Sequence, residues 1–385
     1  MGKVIVSIAR IITGCLFIFS GLIKANDPVG FGYKLQEYFH VFNLNSLNDY
    51  AVGIAVFLCG LEIFLGGLLL LGLWRKWVVR GLLVLIVFFT FLTFYSAFFE
   101  VVTSCGCFGD AIPLTPWQSF IKDLILLALI LILYFKWEKM TPLISDTYTK
   151  SIVSVALAVI SIGIGVYTVN FLPFIDFLPY KVGNHLPSLM QLPEGAEGDI
   201  YELTYSLKHK SSGEEKLVSD KQYIAEEIWK DENWEIVGDP SSRLVKKGYQ
   251  VPIPDLMITN AFGEDVTQEI IGNPYENLVV VAWDLNNTHL KALQRINETA
   301  KQIATAYNTR VVLLTAATTA QIDALSEELD LYMEVFNVDA VPLKSMVRSN
   351  PGVLLLKDGY VKNKWHFNTF PKTENFIKSY LKTVE

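Results

Sequence analysis

Apolar residues fill five long stretches in the first half of the chain, near 4–23, 51–73, 77–99, 118–135 and 152–171. Each is close to the roughly 20 residues that a helix needs to cross a bilayer. None alternates with a period of two, and backbone in lipid is satisfied only within helices or closed barrels. The pattern therefore predicts a helical membrane bundle with five spans. Beyond Pro179 the character changes to polar, with short strand-like runs. Runs at 200–207 and 215–218 flank a Ser212-Gly213 turn and predict a hairpin, inside a small β-rich piece at 183–250. Trp229, Trp234, Val245 and Tyr249 are candidates there for a small core or a contact surface. Further on, 278–283 and 310–314 read as buried strands. Residues 288–307 carry Leu290, Leu293, Ile296, Ala300, Ile303 and Ala304 on one helical face. A helix at 319–331 begins at a Thr cap, strands at 352–356 and 361–366 flank Lys357-Asp358-Gly359, and a final helix at 371–383 begins at proline. The fold class is a membrane all-α bundle followed by a soluble α/β domain with a small β-rich insert. The expected units are 1–140, 141–180 with the fifth span, 181–250 and 251–385.

Composition agrees with this division. The 385 residues are 51% hydrophobic and 18% charged, the balance of a partly membrane-embedded chain. A net charge of −7 with no basic block excludes nucleic acid as a partner. Met1-Gly2-Lys3 before an apolar run resembles a signal peptide, but no clean small-residue cleavage site follows, so the first run reads as a span. Lys3, Arg75, Lys76, Arg80, Lys136, Lys139 and Lys150 mark the cytoplasmic ends, and the loop 100–117 has no Lys or Arg. The N-terminus is thus expected in the cytoplasm, and that loop and the whole C-terminal half outside. Lys24 and Lys34 run against the rule, offset by Asp27, Glu37 and Asp49.

Ionisable residues inside spans are functional candidates. Glu62 lies mid-way along the second span and Arg10 in the first. Their antiparallel helices allow a pair, either as a lock on register or as a site for a proton or quinone. Asp123, beside Lys122, opens the fourth span near the 100–117 loop. It is placed either to hydrogen-bond a thiol or helix end or to stand as a solvated interfacial charge. Gly14, Gly21, Gly60, Gly66 and Gly67 permit close helix approach. Cys15 and Cys59 read as small packing residues.

The other two of the four cysteines stand in Ser104-Cys105-Gly106-Cys107-Phe108-Gly109-Asp110, a turn between two spans. Cys105 and Cys107 are the candidate catalytic pair for thiol–disulfide exchange. A ring closed by so short a spacing is strained and readily reduced, and Gly106 is best able to adopt it. The alternative is a structural turn that the two cysteines close. His40 and His185 show no ligand-like spacing, so no metal site is expected.

Arg10, Gly14, Phe17, Ser20-Gly21, Lys24, Asp27-Pro28, Phe31 and Lys34 resemble the first segment of DoxX-type membrane proteins. Gly60-x-Glu62, with Gly66, Leu69-Leu70 and Gly72, resembles their second. Cys105-Gly106-Cys107-Phe108-Gly109 is similar to the motif of the MauE branch. The resemblance covers roughly 1–140 and implies a four-helix bundle with a role in disulfide handling or quinone-linked redox. Downstream, the element order resembles the thioredoxin fold, particularly the membrane-tethered TlpA-like group. Pro252-x-Pro254-Asp255 to Val266 matches that group's opening hairpin, and Asn350-Pro351-Gly352 its cis-proline. Where the group carries Cys-x-x-Cys, this chain has Asp284-Leu285-Asn286-Asn287-Thr288-His289, so this domain performs no dithiol exchange. The groove beside Pro351 is the expected client site, with His289 near it as a base or an exposed helix-start histidine.

Together these features imply a membrane redox protein, a thiol–disulfide or quinone-linked oxidoreductase, in a bacterial-type inner membrane. Its partners would be the lipid bilayer, a quinone and an extracytoplasmic client protein with thiols. No cofactor is evident beyond that quinone. The alternative is a non-enzymatic, membrane-anchored assembly or scaffold protein.

Overall fold

The computed structural model describes residues 2–101, 109, 111–307 and 309–381. Six helices come first: α1 (Gly2–Asn26), α2 (Pro28–Val41), α3 (Ala51–Leu71), α4 (Arg75–Phe99), α5 (Pro116–Lys136) and α6 (Thr147–Phe171). Among the described residues, all of these but α2 are long and apolar enough to cross a membrane, so the protein is multi-pass. Their boundaries follow local chemistry. Asp27 caps α2 through Gly30 N with Pro28 at its first position, and Thr115 and Gln118 form a capping box ahead of α5. Asp146 caps α6 through Thr149 N. The short helix α2, between the first two spans, is additional to the elements expected from the sequence.

The bundle is organised on the contact of α1 with α3. Gly14 lies against Gly66 and Leu70, and Gly21 against Cys59 and Ile63, so the helices run antiparallel. A Cβ on Gly66 would stand 2.9 Å from the Gly14 carbonyl oxygen, closer than real Cβ contacts come. Phe17, Leu69, Leu82, Ile86 and Ile130 fill the interior beside this seam. Val84, Phe98, Phe135 and Val159 face outward, as suits a surface solvated by lipid tails.

The soluble half begins with one turn, α7 (Leu186–Leu189), and a four-stranded antiparallel sheet. Strand β1 (Ile200–His209) pairs with β2 (Glu215–Ser219) on one edge. The turn of helix α8 (Asp220–Ala225) leads on to β3 (Trp234–Ile236) and β4 (Ser241–Lys246), which pair with β1's other edge. Its core is Leu207, Val218 and Ile228, with Tyr205, Tyr223 and Trp234 against it. Of the four large residues expected to form a core or contact surface, Trp234 alone packs there; Trp229, Val245 and Tyr249 are exposed.

The remaining elements are α9 (Thr267–Ile271), β5 (Asn277–Val281), α10 (Leu290–Tyr307), β6 (Arg310–Thr315), α11 (Thr319–Leu329), β7 (Glu334–Asn337), α12 (Ala340–Met346), β8 (Gly352–Lys357), β9 (Tyr360–His366) and α13 (Thr373–Tyr380). They form one five-stranded sheet in the order β7-β6-β5-β8-β9, with β5, β6 and β7 parallel and β8 and β9 antiparallel. Successive residues of β5 serve opposite faces, Val279 and Val281 one core, Leu278 and Val280 the other. This is a thioredoxin-like arrangement, and the Asn350–Pro351 peptide is cis. The expected opening hairpin is reduced to isolated bridges, Thr259 to Asp265 and Thr259 to Asn337. The Gly263 turn is present, but Asx bonds from Asn260 to Phe262 N and Glu264 N curl it before a ladder can extend.

Gly66→Leu is expected to destabilise the bundle by about 1–3 kcal/mol, because the facing backbone cannot move aside. Gly53→Leu, where a side chain meets open space, is expected to be near neutral. Thermal melts of both variants in detergent measure the difference.

Candidate functional site

The centre of the bundle holds two buried charge clusters. Lys24 (3% exposed) pairs with Glu62 (1% exposed), and the Lys24 ammonium also sits over the rings of Phe31 and Phe89, 5.3 and 4.6 Å from their centroids. Asp123 (1% exposed) accepts from Thr93 Oγ1 at 3.0 Å and from Lys122 Nζ at 2.6 Å. It lies about two turns inside α5, inside the bundle, so the reading of Asp123 as a solvated interfacial charge is corrected.

The pairing of Arg10 with Glu62 is corrected too. Arg10 donates to the carbonyls of Leu69 (2.9 Å), Leu70 (2.5 Å) and Thr141 (2.7 Å). The first two belong to the last turn of α3, whose carbonyls lack intrahelical partners and carry the negative end of the helix dipole. In the register set by Gly14 and Gly66, Arg10 lies level with residue 70. Glu62 is eight residues away along α3, about 12 Å at 1.5 Å per residue. Lys24 is the cation at Glu62's depth. In the sequence Lys24 stands out as a charge against the topology rule and as part of the DoxX-like first segment, with no sign of its partner.

Lys24, Glu62, Phe89, Thr93, Lys122 and Asp123 share the wall of one slot of about 30 Å³ with Ser20 and Tyr38, and the rest of its lining is apolar. Among the described residues Glu62 Oε2 has no hydrogen-bond partner. A slot of this size admits a water-sized group.

A second, larger space lies where the soluble half meets the bundle. The corner between α1 and α2 provides the footing. Asn26 exchanges two hydrogen bonds with the Ile175 backbone, at 2.8 and 3.0 Å. Asp27 receives Arg348 Nε at 2.8 Å, and Gly30 makes room, since a Cβ there would be 2.5 Å from Asp27 Oδ2. Asp176 receives Lys364 Nζ at 2.6 Å, and Asn368 Nδ2 donates to the Asn170 carbonyl at 2.9 Å. Tyr33 meets Trp283 edge-on at 6.1 Å. Burial pushes the Tyr33 hydroxyl up to about 12 and lowers Lys364 despite Asp176. Between these contacts a cleft of about 450 Å³ remains open, bounded by Asp27, Tyr33, Asp176, Lys344 and Arg348.

Cys105 and Cys107 lie outside the described residues. Gly109, two positions after Cys107, is described and stands on the wall of this cleft. Pro351 is buried, and the thioredoxin-like face around it turns toward the bundle through Arg348, His366 and Trp283. The open space is therefore beside α12 and the α1–α2 corner. His289 is exposed, stacks on Phe367 at 4.7 Å, and accepts from Ala292 N at the start of α10. The turn replacing a dithiol is closed by Asp284, which accepts from Asn286 N and Asn287 Nδ2. Lys344, Arg348 and Asp27 were not named as site residues from the sequence; the junction that gives them meaning joins positions over 300 apart.

The bundle matches the MauE family. The family model, described as methylamine utilisation protein MauE, aligns with residues 2–136. The chain is also similar to a Flavobacterium psychrophilum protein named Protein TlpB, 31% identical over 135 residues. That alignment covers 34% of this chain and 36% of the relative; the chain thus spans about a third of the length of the curated relative it matches.

Removing one partner of a buried pair leaves an uncompensated charge. Lys24→Met and Glu62→Gln are each expected to cost about 3–5 kcal/mol of bundle stability, while Lys24→Met with Glu62→Leu recovers most of it. Melting temperatures of the three variants in one detergent test this. His366 supplies a pH dependence. Burial lowers it from 6.5 to about 4, the Val169 backbone opposing only in part. As pH falls the unfolded chain takes up the proton first, so stability is full above about 6.5 and declines toward pH 4, by about 3 kcal/mol at most. His366→Gln is expected to flatten that part of a stability–pH curve.

Proposed function

We propose that this protein carries out thiol–disulfide exchange at the outer face of a bacterial-type inner membrane, with Cys105 and Cys107 as the exchanging pair. The soluble region then serves as the platform that presents a client protein to them. One observation carries the reading: Gly109, two residues beyond the pair, borders the cleft formed where the soluble region meets the bundle. The match over residues 2–136 supports it by including that loop. The soluble region supplies no thiol of its own, since the last cysteine in the chain is Cys107.

In chemical terms, a client disulfide accepts the thiolate of one loop cysteine, and the second cysteine resolves the mixed disulfide. Run the other way, the loop disulfide oxidises a client dithiol. Closing the loop disulfide afresh releases two electrons and two protons. A diffusible membrane quinone is the acceptor class in this proposal, as a substrate. No step is assigned to the slot beside Glu62. Lys24, Glu62 and Asp123 remain groups able to hold a proton inside the bundle.

A second reading, an anchored assembly or scaffold protein, is favoured by the way the soluble region is fixed to the bundle through Arg348–Asp27 and Lys364–Asp176. One experiment separates the two. Alkylation trapping in cells is expected to find Cys105 and Cys107 shifting between dithiol and disulfide as the thiol pool is changed. Cys107→Ser is expected to accumulate a reductant-sensitive adduct with a client. A pair whose state never changes, together with full activity of the folded Cys105→Ser, Cys107→Ser double variant, supports the scaffold instead.

A further inference from the structure

The carboxylates that line the junction cleft are already paired. Three carboxylates line it, and each is held by a base: Asp27 by Arg348, Glu37 by Lys34 at 2.8 Å, and Asp176 by Lys364. Asp27 and Asp176 also accept backbone amides, from Gly30 and Leu178. Lys344 remains. It lines the same cleft and, among the described residues, makes no ion pair and no side-chain hydrogen bond. Its ammonium is held instead between two rings, 4.7 Å from the centroid of Tyr33 and 4.6 Å from that of Trp283.

Aromatic faces attract an ammonium and fix its position, but they accept none of its three N–H bonds as a carboxylate does. Burial lowers the Lys344 pKa, and Asp284 offsets this only in part. Asp284's carboxylate is already engaged by Asn286 and Asn287. The result is a fixed, half-buried cation with hydrogen-bonding capacity to spare, in a cleft of about 450 Å³. That volume lies within the roughly 300–1,000 Å³ usual for ligand sites.

We propose that the junction cleft is a binding site for a carboxylate-bearing ligand, with Lys344 as its receptor and Tyr33 and Trp283 as the rings that hold the ammonium in place. The carboxylate belongs either to an acidic side chain of an extended client segment or to a small free acid. The proposal deepens the redox reading above, on which it rests for the reason a client comes to this cleft: an acidic residue seated on Lys344 anchors the client on the cleft that Gly109 borders. No covalent step is involved.

The test uses the full chain in detergent micelles and titration calorimetry with three thiol-free probes. They are a pentapeptide capped at both ends and carrying one glutamate, its glutamine counterpart, and glutarate. The glutamate peptide is expected to bind about tenfold more tightly than the glutamine peptide, as a charge-assisted contact provides. Lys344→Gln is expected to erase that preference, and Lys344→Arg, which keeps the charge and the stacking, to retain it. Glutarate binding with the same dependence on Lys344, in place of the peptide preference, supports the site and assigns it to a free acid. Equal binding of both peptides with no glutarate binding overturns the proposal, as does a preference that survives in Lys344→Gln. Because no probe carries a thiol, Cys107→Ser is expected to bind as the wild type does. Loss of redox cycling therefore leaves this result standing, and loss of binding leaves the redox test intact.

Discussion

Asp27 has two tasks at once. One carboxylate oxygen accepts Gly30 N and starts α2; the other accepts Arg348 Nε from the far end of the chain. Both depend on the absence of a side chain at Gly30, and both sit at the point where α1 leaves the membrane. The adjacent Asn26 clamps the backbone after α6. A few polar groups at one corner thus fix where the soluble half stands on the bundle. Arg348 and Asp27 are largely withdrawn from water, so the pair fixes the geometry of the junction more than its stability, and removing either partner alone strands a charge there.

The same economy of polar groups governs the bundle interior. Lys24 and Glu62 are tolerable in a low-dielectric centre only together, and the close approach of Gly14 to Gly66 sets the register that brings them level. Arg10 answers a different need, the orphan carbonyls at the end of α3. Three ionisable side chains on two neighbouring helices therefore have distinct roles, decided by depth along the helix and by nothing in their chemical type.

Much of this was legible from residues close in sequence. Spans, caps and the hairpins around Ser212-Gly213 and Lys357-Asp358-Gly359 follow from apolar runs and turn chemistry, which act over a few residues. The cis-proline position was legible because its flanking strand pattern is local as well. What escaped was set by register and by distance along the chain. Choosing Lys24 over Arg10 as the partner of Glu62 requires knowing which glycines meet. Helix α2 left a local signal, Phe31, Leu35 and Tyr38 at helical spacing after Asp27-Pro28, but it is too short and too polar to stand out as a span. Strand β7 and helix α12 are short, and pairing across the sheet rather than any internal period defines them.

The polar turn at Asp284 and the docking of the thioredoxin-like region belong to one physical account. The cis-proline side carries Arg348, His366 and Trp283 to the bundle, and at the dithiol position Asp284 and its neighbours form a closed polar turn. The face around Pro351 meets the α1–α2 corner, and the open space lies at the seam between the two halves. Lys344, which makes no ion pair among the described residues, stands on that seam. Were the face needed only for docking, burying an unmatched ammonium against it would cost stability with no return, since an apolar residue would stack on Tyr33 and Trp283 without the desolvation penalty. In the proposal above, an acid from outside the chain offsets that penalty.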